Sequence, residues 1–270
     1  MRHERITSRD NPLVAALRRQ RQEALAYRRT GWIWVEGDHL CAAAVARGVP
    51  LAQVVVSDTA FGRADTAEVL AAAQRVVQVP DALFVEISGL PSPTGLGAVL
   101  ALPAQPTAVL PGRAAVVLDR LQDPGNVGSI LRSAAALGVP QVIALKGSAG
   151  MWTPKVLRAA MGAHFALHLV DGADATVLDG LGVPLLVTSS HAAHRLDGGQ
   201  WPWPAAWVFG HEGQGVDPGL EARAAGRVGI PQPGGEESLN VAAAAAICLY
   251  ASSLRATAAP PPPAPPPQGG

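Results

Sequence analysis

The chain has 270 residues, 49% hydrophobic and 4% aromatic, and its 21 basic and 21 acidic side chains cancel. That length and composition predict one large or two modest domains with cores of Ala, Val and Leu. No apolar run reaches membrane-spanning length, the charged first thirty residues lack a signal-peptide core, and two distant cysteines (Cys41 and Cys248) fit buried thiols better than a disulfide framework, so a soluble protein of the reducing cytoplasm is expected.

The charge is unevenly placed. Residues 1–30 hold eight Arg against three acids, Glu4, Asp10 and Glu23. The stretch "PLVAALRRQRQEALAYRR" (12–29) places Leu13, Leu17 and Leu25 at roughly helical spacing, which predicts one amphipathic helix. Its outer face carries Arg18, Arg19, Arg21, Arg28 and Arg29. Such a face either meets a polyanion or is simply solvated, and charge alone leaves both readings open. "WIWVEG" (32–37) then reads as a strand and "HLCAAAVARG" (39–48) as a helix closed by Gly48. A strand over 51–58, a helix over 66–75, a strand over 76–80 and a short strand late in 88–103 complete a small α/β unit. Three prolines within 103–112 mark its end.

A second series follows. Strands are predicted at 114–118, 141–145, 184–188, 205–209 and 227–230, and helices at 127–137, 154–161, 217–225 and 240–254. Short unbroken apolar strands between helices imply a parallel sheet with helices on both faces. The segment "APPPPAPPPQGG" (259–270) offers no apolar surface to bury and reads as a disordered or polyproline extension.

In such sheets, ligands collect beyond the carboxyl ends of the strands, and three polar loops fall there. In "LDRLQDPGNVGSILRSAAALG" (118–138), Asn126 is placed to cap a helix, Gly128 admits a close approach to its first turn, and Arg132 follows. "VFGHEGQGVDPGL" (208–220) is a glycine-rich turn around Glu212. It departs from the G-x-G-x-x-G order of a dinucleotide site, and no Gly-Lys-Ser/Thr of a P-loop occurs. "IPQPGGEESLNVAAAAA" (230–246) joins a proline–glycine loop, which leaves backbone groups free, to a helix that Asn240 or Ser238 can cap.

Taken in order, Asn126-x-Gly128-x-x-x-Arg132, Gly210-x-Glu212-x-x-Gly215 and Ile230-Pro231-x-x-Gly234 leading to Ser238-Leu239-Asn240-Val241 resemble the three motifs of the SpoU (TrmH-like) RNA ribose 2′-O-methyltransferases. The resemblance covers 114–254. "TPKVLRAAMGAHF" (153–165) is similar to the family's intervening segment, with Ala160 where many relatives carry a hydroxyl. More weakly, "ITSRDNPLVAALRRQ" and "GWIWVEGDHL" resemble the substrate-binding domain that often precedes this catalytic domain. The resemblance implies an RNA-binding domain over 1–105, a methyltransferase domain over 106–256 with a carboxyl-terminal trefoil knot, and a disordered tail over 257–270. It also implies a homodimer acting on ribosomal or transfer RNA with S-adenosylmethionine as cofactor. By likeness, Thr188, Gly210, Ile230, Gln232 and Leu239 bind that cofactor, and Asn126, Arg132, Glu212, Ser238 and Asn240 form the catalytic set. The family's arginine matching Arg132 is proposed as the base. Because a guanidinium stays protonated to above about pH 12, orienting the hydroxyl and its phosphate is the role we assign it, with proton removal within the complex left open.

Other polar candidates point less far. His191 and His194 share a spacing but lack a third metal ligand, and His164 and His168 lie around a predicted strand. Trp201, Trp203 and Trp207, set among prolines, read as a hydrophobic plug rather than a base-stacking platform. Two other classes share parts of the pattern. A non-catalytic RNA-binding or assembly factor would keep the fold, but the complete polar set argues against it. A nucleotide-dependent oxidoreductase rests on the glycine turn alone, where Glu212 would sit beside a pyrophosphate.

Overall fold

The computed structural model describes residues 2–189, 192, 194–197, 201–234 and 238–258, with 256–258 described by backbone only. The elements of the first sheet region are β1 (Arg2–Arg5), α1 (Pro12–Gln22), α2 (Ala26–Thr30), β2 (Trp32–Glu36), α3 (Asp38–Ala46), β3 (Gln53–Ser57), α4 (Asp58–Phe61), α5 (Ala67–Ala72), β4 (Arg75–Val79), α6 (Asp81–Ile87) and β5 (Leu96–Ala101). Then come β6 (Ala115–Leu118), α7 (Pro124–Ala136), β7 (Gln141–Leu145), α8 (Pro154–Ala160), β8 (His168–Ala173), β9 (Leu185–Thr188), β10 (His194–Arg195), β11 (Ala206–Phe209), α9 (Pro218–Arg223), β12 (Gly226–Gly229) and α10 (Val241–Ala258).

Two sheets form. The first has the order β1-β4-β3-β5-β2 and is mixed: β1, β4 and β3 run parallel, while β5 pairs antiparallel with both β3 and β2. The second has the order β10-β12-β9-β11-β6-β7-β8, and every pairing in it is parallel. The period-two alternation of its strands divides the core. Val116 and Leu118 of β6 face a cluster with Val127, Ile130 and Leu131 of α7, Leu157 of α8 and Leu249 of α10. Ala115 and Val117 face the opposite cluster with Leu178, Leu181 and Leu220 of α9. Both faces are therefore covered, as the apolar strands predicted.

The first of these clusters continues into the other sheet region through Tyr27, Ile33, Val35 and Leu40. Tyr27, 2% exposed, donates its hydroxyl to Asp171 Oδ2 at 3.1 Å, and Arg28 reaches the same carboxylate at 3.4 Å. Burial, reinforced by the Asp171 charge, pushes the Tyr27 phenol up to about 12, so it remains a donor.

Several expectations need correction. The helix expected over 12–29 is two helices, because the chain turns extended at Glu23. Its inward positions are Val14, Leu17 and Gln20 rather than Leu13, Leu17 and Leu25, and Leu25 is 49% exposed. Gln20 is held inside because its amide donates to Thr30 Oγ1 (2.9 Å) and the Trp32 carbonyl (3.1 Å). The last helix, expected to stop at 254, extends to Ala258, so residues 257 and 258 belong to it rather than to a tail. Residues 259–270 and His191 lie outside the described residues, whereas His194 is exposed on β10. Strand β1 was not foreseen: "RHER" buries almost nothing and joins the sheet edge by backbone pairing with β4.

Cys41 and Cys248 are buried free thiols, and burial raises both to about 12. No helix among the described residues is long and apolar enough to cross a membrane.

Candidate active site

Strands β6, β9, β11 and β12 run the same way, so the loops that leave their carboxyl ends gather at one edge of the sheet. The loop after β6 enters α7 at Asp123, whose side chain accepts from the Asn126 backbone N–H at 2.8 Å, with Pro124 at the first helical position. Asp123, not Asn126, is thus the cap. That leaves the Asn126 side chain free for another task.

That task is to join the loops. Asn126 Nδ2 donates to Glu212 Oε1 at 3.3 Å, and Asn126 Oδ1 accepts from Asn240 Nδ2 at 3.0 Å. Glu212 also accepts backbone N–H groups from Asp123 (3.2 Å) and Gln122 (3.4 Å). Its burial alone would raise the carboxyl pKa. Hydrogen bonds from its own N–H, Asp123, Asn126 and Gln122 outweigh this and hold it below the ordinary range. Asn240 caps α10, accepting from Ala242 (2.9 Å) and Ala243 (3.2 Å). One polar line therefore runs from the turn after β11, through the start of α7, to the start of α10.

A second tie backs it. Arg120, at φ 55°, makes a two-pronged pair with the adjacent Asp119, Nε–Oδ1 and Nη2–Oδ2 both 2.9 Å, and also donates to Gln214 Oε1 at 3.1 Å. Asp119 is 3% exposed and accepts the Asp217 N–H at 2.7 Å. Ion pairing with Asp119 raises the Arg120 pKa. A positive φ is disfavoured for a side-chain-bearing residue, and this clasp supplies the contacts that hold it. Sequence reasoning missed Asp119 and Arg120; their place directly after a strand was the available signal.

Against the turn after β11 and the start of α10 lies a cavity of about 630 Å³, lined by Thr188, Gly210, Glu212, Ile230, Gln232, Ser238, Leu239 and Asn240, and also by His211 and Gln214, which were not foreseen. The volume falls in the range of about 300–1,000 Å³ common to small-molecule sites. At Gly210 an added Cβ would lie 2.3 Å from the Gly215 carbonyl carbon and the Val216 nitrogen, so the turn closes only with glycine. Thr188 Oγ1 is spent on the Val208 carbonyl at 3.1 Å. Gln232 Oε1 is buried without a hydrogen-bond partner among the described residues.

Gly128 is used differently from expectation. What approaches it is α8: an added Cβ would sit 2.4 Å from Ala159 Cβ and 2.8 Å from the Val156 carbonyl. Ala160 is fully buried in the same contact. Arg132 is not among the cavity residues. It is exposed on α7 and, among the described residues, forms no hydrogen bond or ion pair. The five amino-terminal arginines are all engaged: Arg18 with Glu86 (2.6 Å), Arg21 with the Glu86 carbonyl (3.1 Å), Arg19 and Arg29 with Glu23 (3.9 and 2.8 Å), and Arg28 with Asp171. Of these, the two pairs with Glu23 are exposed, and such surface pairs are worth little.

His164 is buried and its Nε2 meets the Met151 carbonyl at 2.8 Å, whereas His168 meets the Ala108 carbonyl at the same distance. Trp207 is fully buried with its indole N–H on Ser252, and Trp201 and Trp203 pack on the same core, which agrees with a plug.

The architecture and site define a class: an α/β protein whose parallel sheet carries a small-molecule cavity tied to three loops at its carboxyl edge. The model of the SpoU rRNA methylase family matches residues 113–250, which is half the chain. A tRNA/rRNA methyltransferase of Synechocystis is 31% identical over 91% of this chain and 92% of its own. The 23S rRNA guanosine 2′-O-methyltransferase RlmP of Bacillus subtilis is 29% identical over 82% of this chain and 88% of its own. The solved structure of the SpoU methyltransferase AviRb of Streptomyces viridochromogenes with AdoMet has a TM-score of 0.82 at 25% identity, covering 92% of this chain and 98% of that one. The chain belongs to the SpoU rRNA methylase family.

Proposed function

We propose that the protein is an S-adenosylmethionine-dependent methyltransferase that modifies a ribose 2′-hydroxyl in ribosomal or transfer RNA. The observation that carries this reading is the Glu212–Asn126–Asn240 line, which ties three loops together and sets two of its members, Glu212 and Asn240, in the wall of one cavity. The residues present fit the cofactor. The unpartnered Gln232 oxygen suits a ligand with N–H donors, and the Gly210 turn and Ile230–Gln232 loop offer backbone groups at the wall. When bound, S-adenosylmethionine supplies an electrophilic sulfonium methyl group. The chain's own part is to bind and orient: Thr188, Gly210, Ile230, Gln232 and Leu239 form the cofactor walls, and Ser238 stands exposed at the mouth. The Arg132 guanidinium, with no protein partner among the described residues, is free to present its fork of donors to a ribose hydroxyl and neighbouring phosphate.

In this reading residues 1–105 capture RNA and 106–256 carry the chemistry. The carboxyl-terminal part of the chain forms a trefoil knot, as the family resemblance implies. Two chains associate through α10, where Ile247, Tyr250 and Leu254 lie exposed along one face. The buried thiols accord with a cytoplasmic setting.

Calorimetry with S-adenosylmethionine and with NAD, followed by labelled methyl transfer to unmodified ribosomal and transfer RNA, tests the proposal. Cofactor binding and 2′-O-methylated ribose are expected. Tight NAD binding without S-adenosylmethionine binding would overturn it.

A further inference from the structure

A second cavity, of about 560 Å³, lies between the two sheet regions. One wall comes from the end of α1, α2 and β2, and the other from the start of α7, the 148–150 loop and α8. Four cations line it: Arg21, Arg28, Lys155 and Arg158. Among the described residues only one carboxylate, Glu36, does so, and it is already occupied by the Ser88 hydroxyl and the Gly89 N–H, the latter at 2.9 Å. Arg21 spends one donor on a neutral carbonyl and so keeps its charge unanswered. Lys155 and Arg158 form no hydrogen bond or ion pair among the described residues. The cleft also has an apolar side. Leu25 stands 49% exposed in it, and Trp34 packs against Gly97 with its indole N–H buried and unpartnered.

Its position ties it to the reaction. Pro124 lines the cleft, while the neighbouring Asp123 and Asn126 hold Glu212 in the wall of the other cavity. The start of α7 thus lines the cleft and, through Glu212, braces a wall of the other cavity. Paired cations beside an exposed apolar surface match a nucleotide, with its phosphate on one side and flat base on the other.

We propose that this cleft binds a single-stranded nucleotide of the substrate RNA flanking the one that is methylated, with Lys155 and Arg158 on its phosphate and Leu25 under its base. This rests on the RNA methyltransferase reading above and adds to it Leu25 and two cations that lie between the first two motifs.

The test uses the full chain and two RNA probes: fluorescent single-stranded oligoribonucleotides followed by anisotropy across a salt series, and 4-thiouridine-substituted rRNA transcripts for crosslinking. Lys155→Ala with Arg158→Ala should weaken binding at least tenfold and lower the salt slope by about 1.4, the value for two lost single-strand phosphate contacts. Arg158→Lys should keep the slope. Leu25→Ala should weaken binding with the slope unchanged. Crosslinks should map to residues 21–28 or 148–158. S-adenosylmethionine affinity and urea midpoints, measured on every variant, should match the parent. Parental affinity and salt slope in the double variant would overturn the cleft proposal, as would displacement of the crosslink by micromolar free nucleoside monophosphates. A parent that methylates no RNA and binds no S-adenosylmethionine would instead sink the underlying reading, whatever the cleft variants do.

Discussion

Asn240 donates its side-chain amide to Asn126 Oδ1 at 3.0 Å while its own oxygen caps α10 through Ala242 and Ala243. One residue thus starts a helix and orients the side chain that joins the other two loops. The two roles separate by substitution. Asn240→Ser should keep the cap, with stability within about 0.5 kcal/mol of the parent, but cannot reach Asn126. Asn240→Ala should lose about 1 kcal/mol as well. Both should lose at least tenfold in methyl transfer. Urea denaturation and single-turnover assays check this; a fully active Ser variant would show that the link to Asn126 is dispensable.

Glu212 serves as an acceptor for Gln122, Asp123 and Asn126. Glu212→Gln replaces one acceptor oxygen by a donor facing other donors, so the loops should separate and cofactor affinity should fall about tenfold. Calorimetry measures the loss. The pH dependence has a definite sign. The folded carboxyl is held below its ordinary range, so its contribution to stability is full above that range and lost as pH falls through the folded value. Wild-type stability should therefore decline more than that of the Gln variant on acidification.

Much of this architecture was legible because parallel strands buried on both faces leave unbroken apolar runs; β7 occupies the predicted 141–145. The three loops were legible because glycine, proline and helix-capping residues have few structural uses. What could not be read were relationships between distant side chains. Asn126 resembled a cap because Asp123, three residues earlier, does the same chemistry at the true start. Leu25 fitted the helical period, but Glu23 ends the helix before it. Nothing local to Arg120 announces its positive φ or its reach to Gln214. The cleft between the sheets draws on residues from Arg21 to Arg158, which only the packing of the two regions brings together.

His164 offers a titration with the opposite origin from that of Glu212. Burial lowers its pKa to about 4, and its Nδ1 has no partner among the described residues, so a proton there would be uncompensated. The unfolded imidazole, at about 6.5, binds protons first on acidification. Stability is thus full above about pH 6.5 and is lost progressively down to about pH 4, by about 3 kcal/mol. His164→Gln keeps a donor for the Met151 carbonyl but cannot titrate. Subtracting the variant's urea stability profile from the parent's should isolate this loss between those two pH values. Parallel profiles would contradict a neutral buried imidazole.

Arg132 tests the mechanism itself. It is exposed on α7, outside the cavity lined by Gly210, Glu212 and Asn240, with no protein partner among the described residues. A residue so placed contributes little to folding, so both Arg132→Lys and Arg132→Ala should fold, associate and bind S-adenosylmethionine as the parent does. If its planar fork orients the ribose hydroxyl and the adjacent phosphate, charge without the fork is insufficient. Methyl transfer should then fall by about a hundredfold or more in both variants, the scale for losing a positioned catalytic group. Single-turnover rates at saturating RNA separate this from weakened binding. Near-parental turnover in the Lys variant would reduce the requirement to charge. Loss of cofactor binding in either variant would instead make Arg132 part of the cofactor site, contrary to its placement on α7.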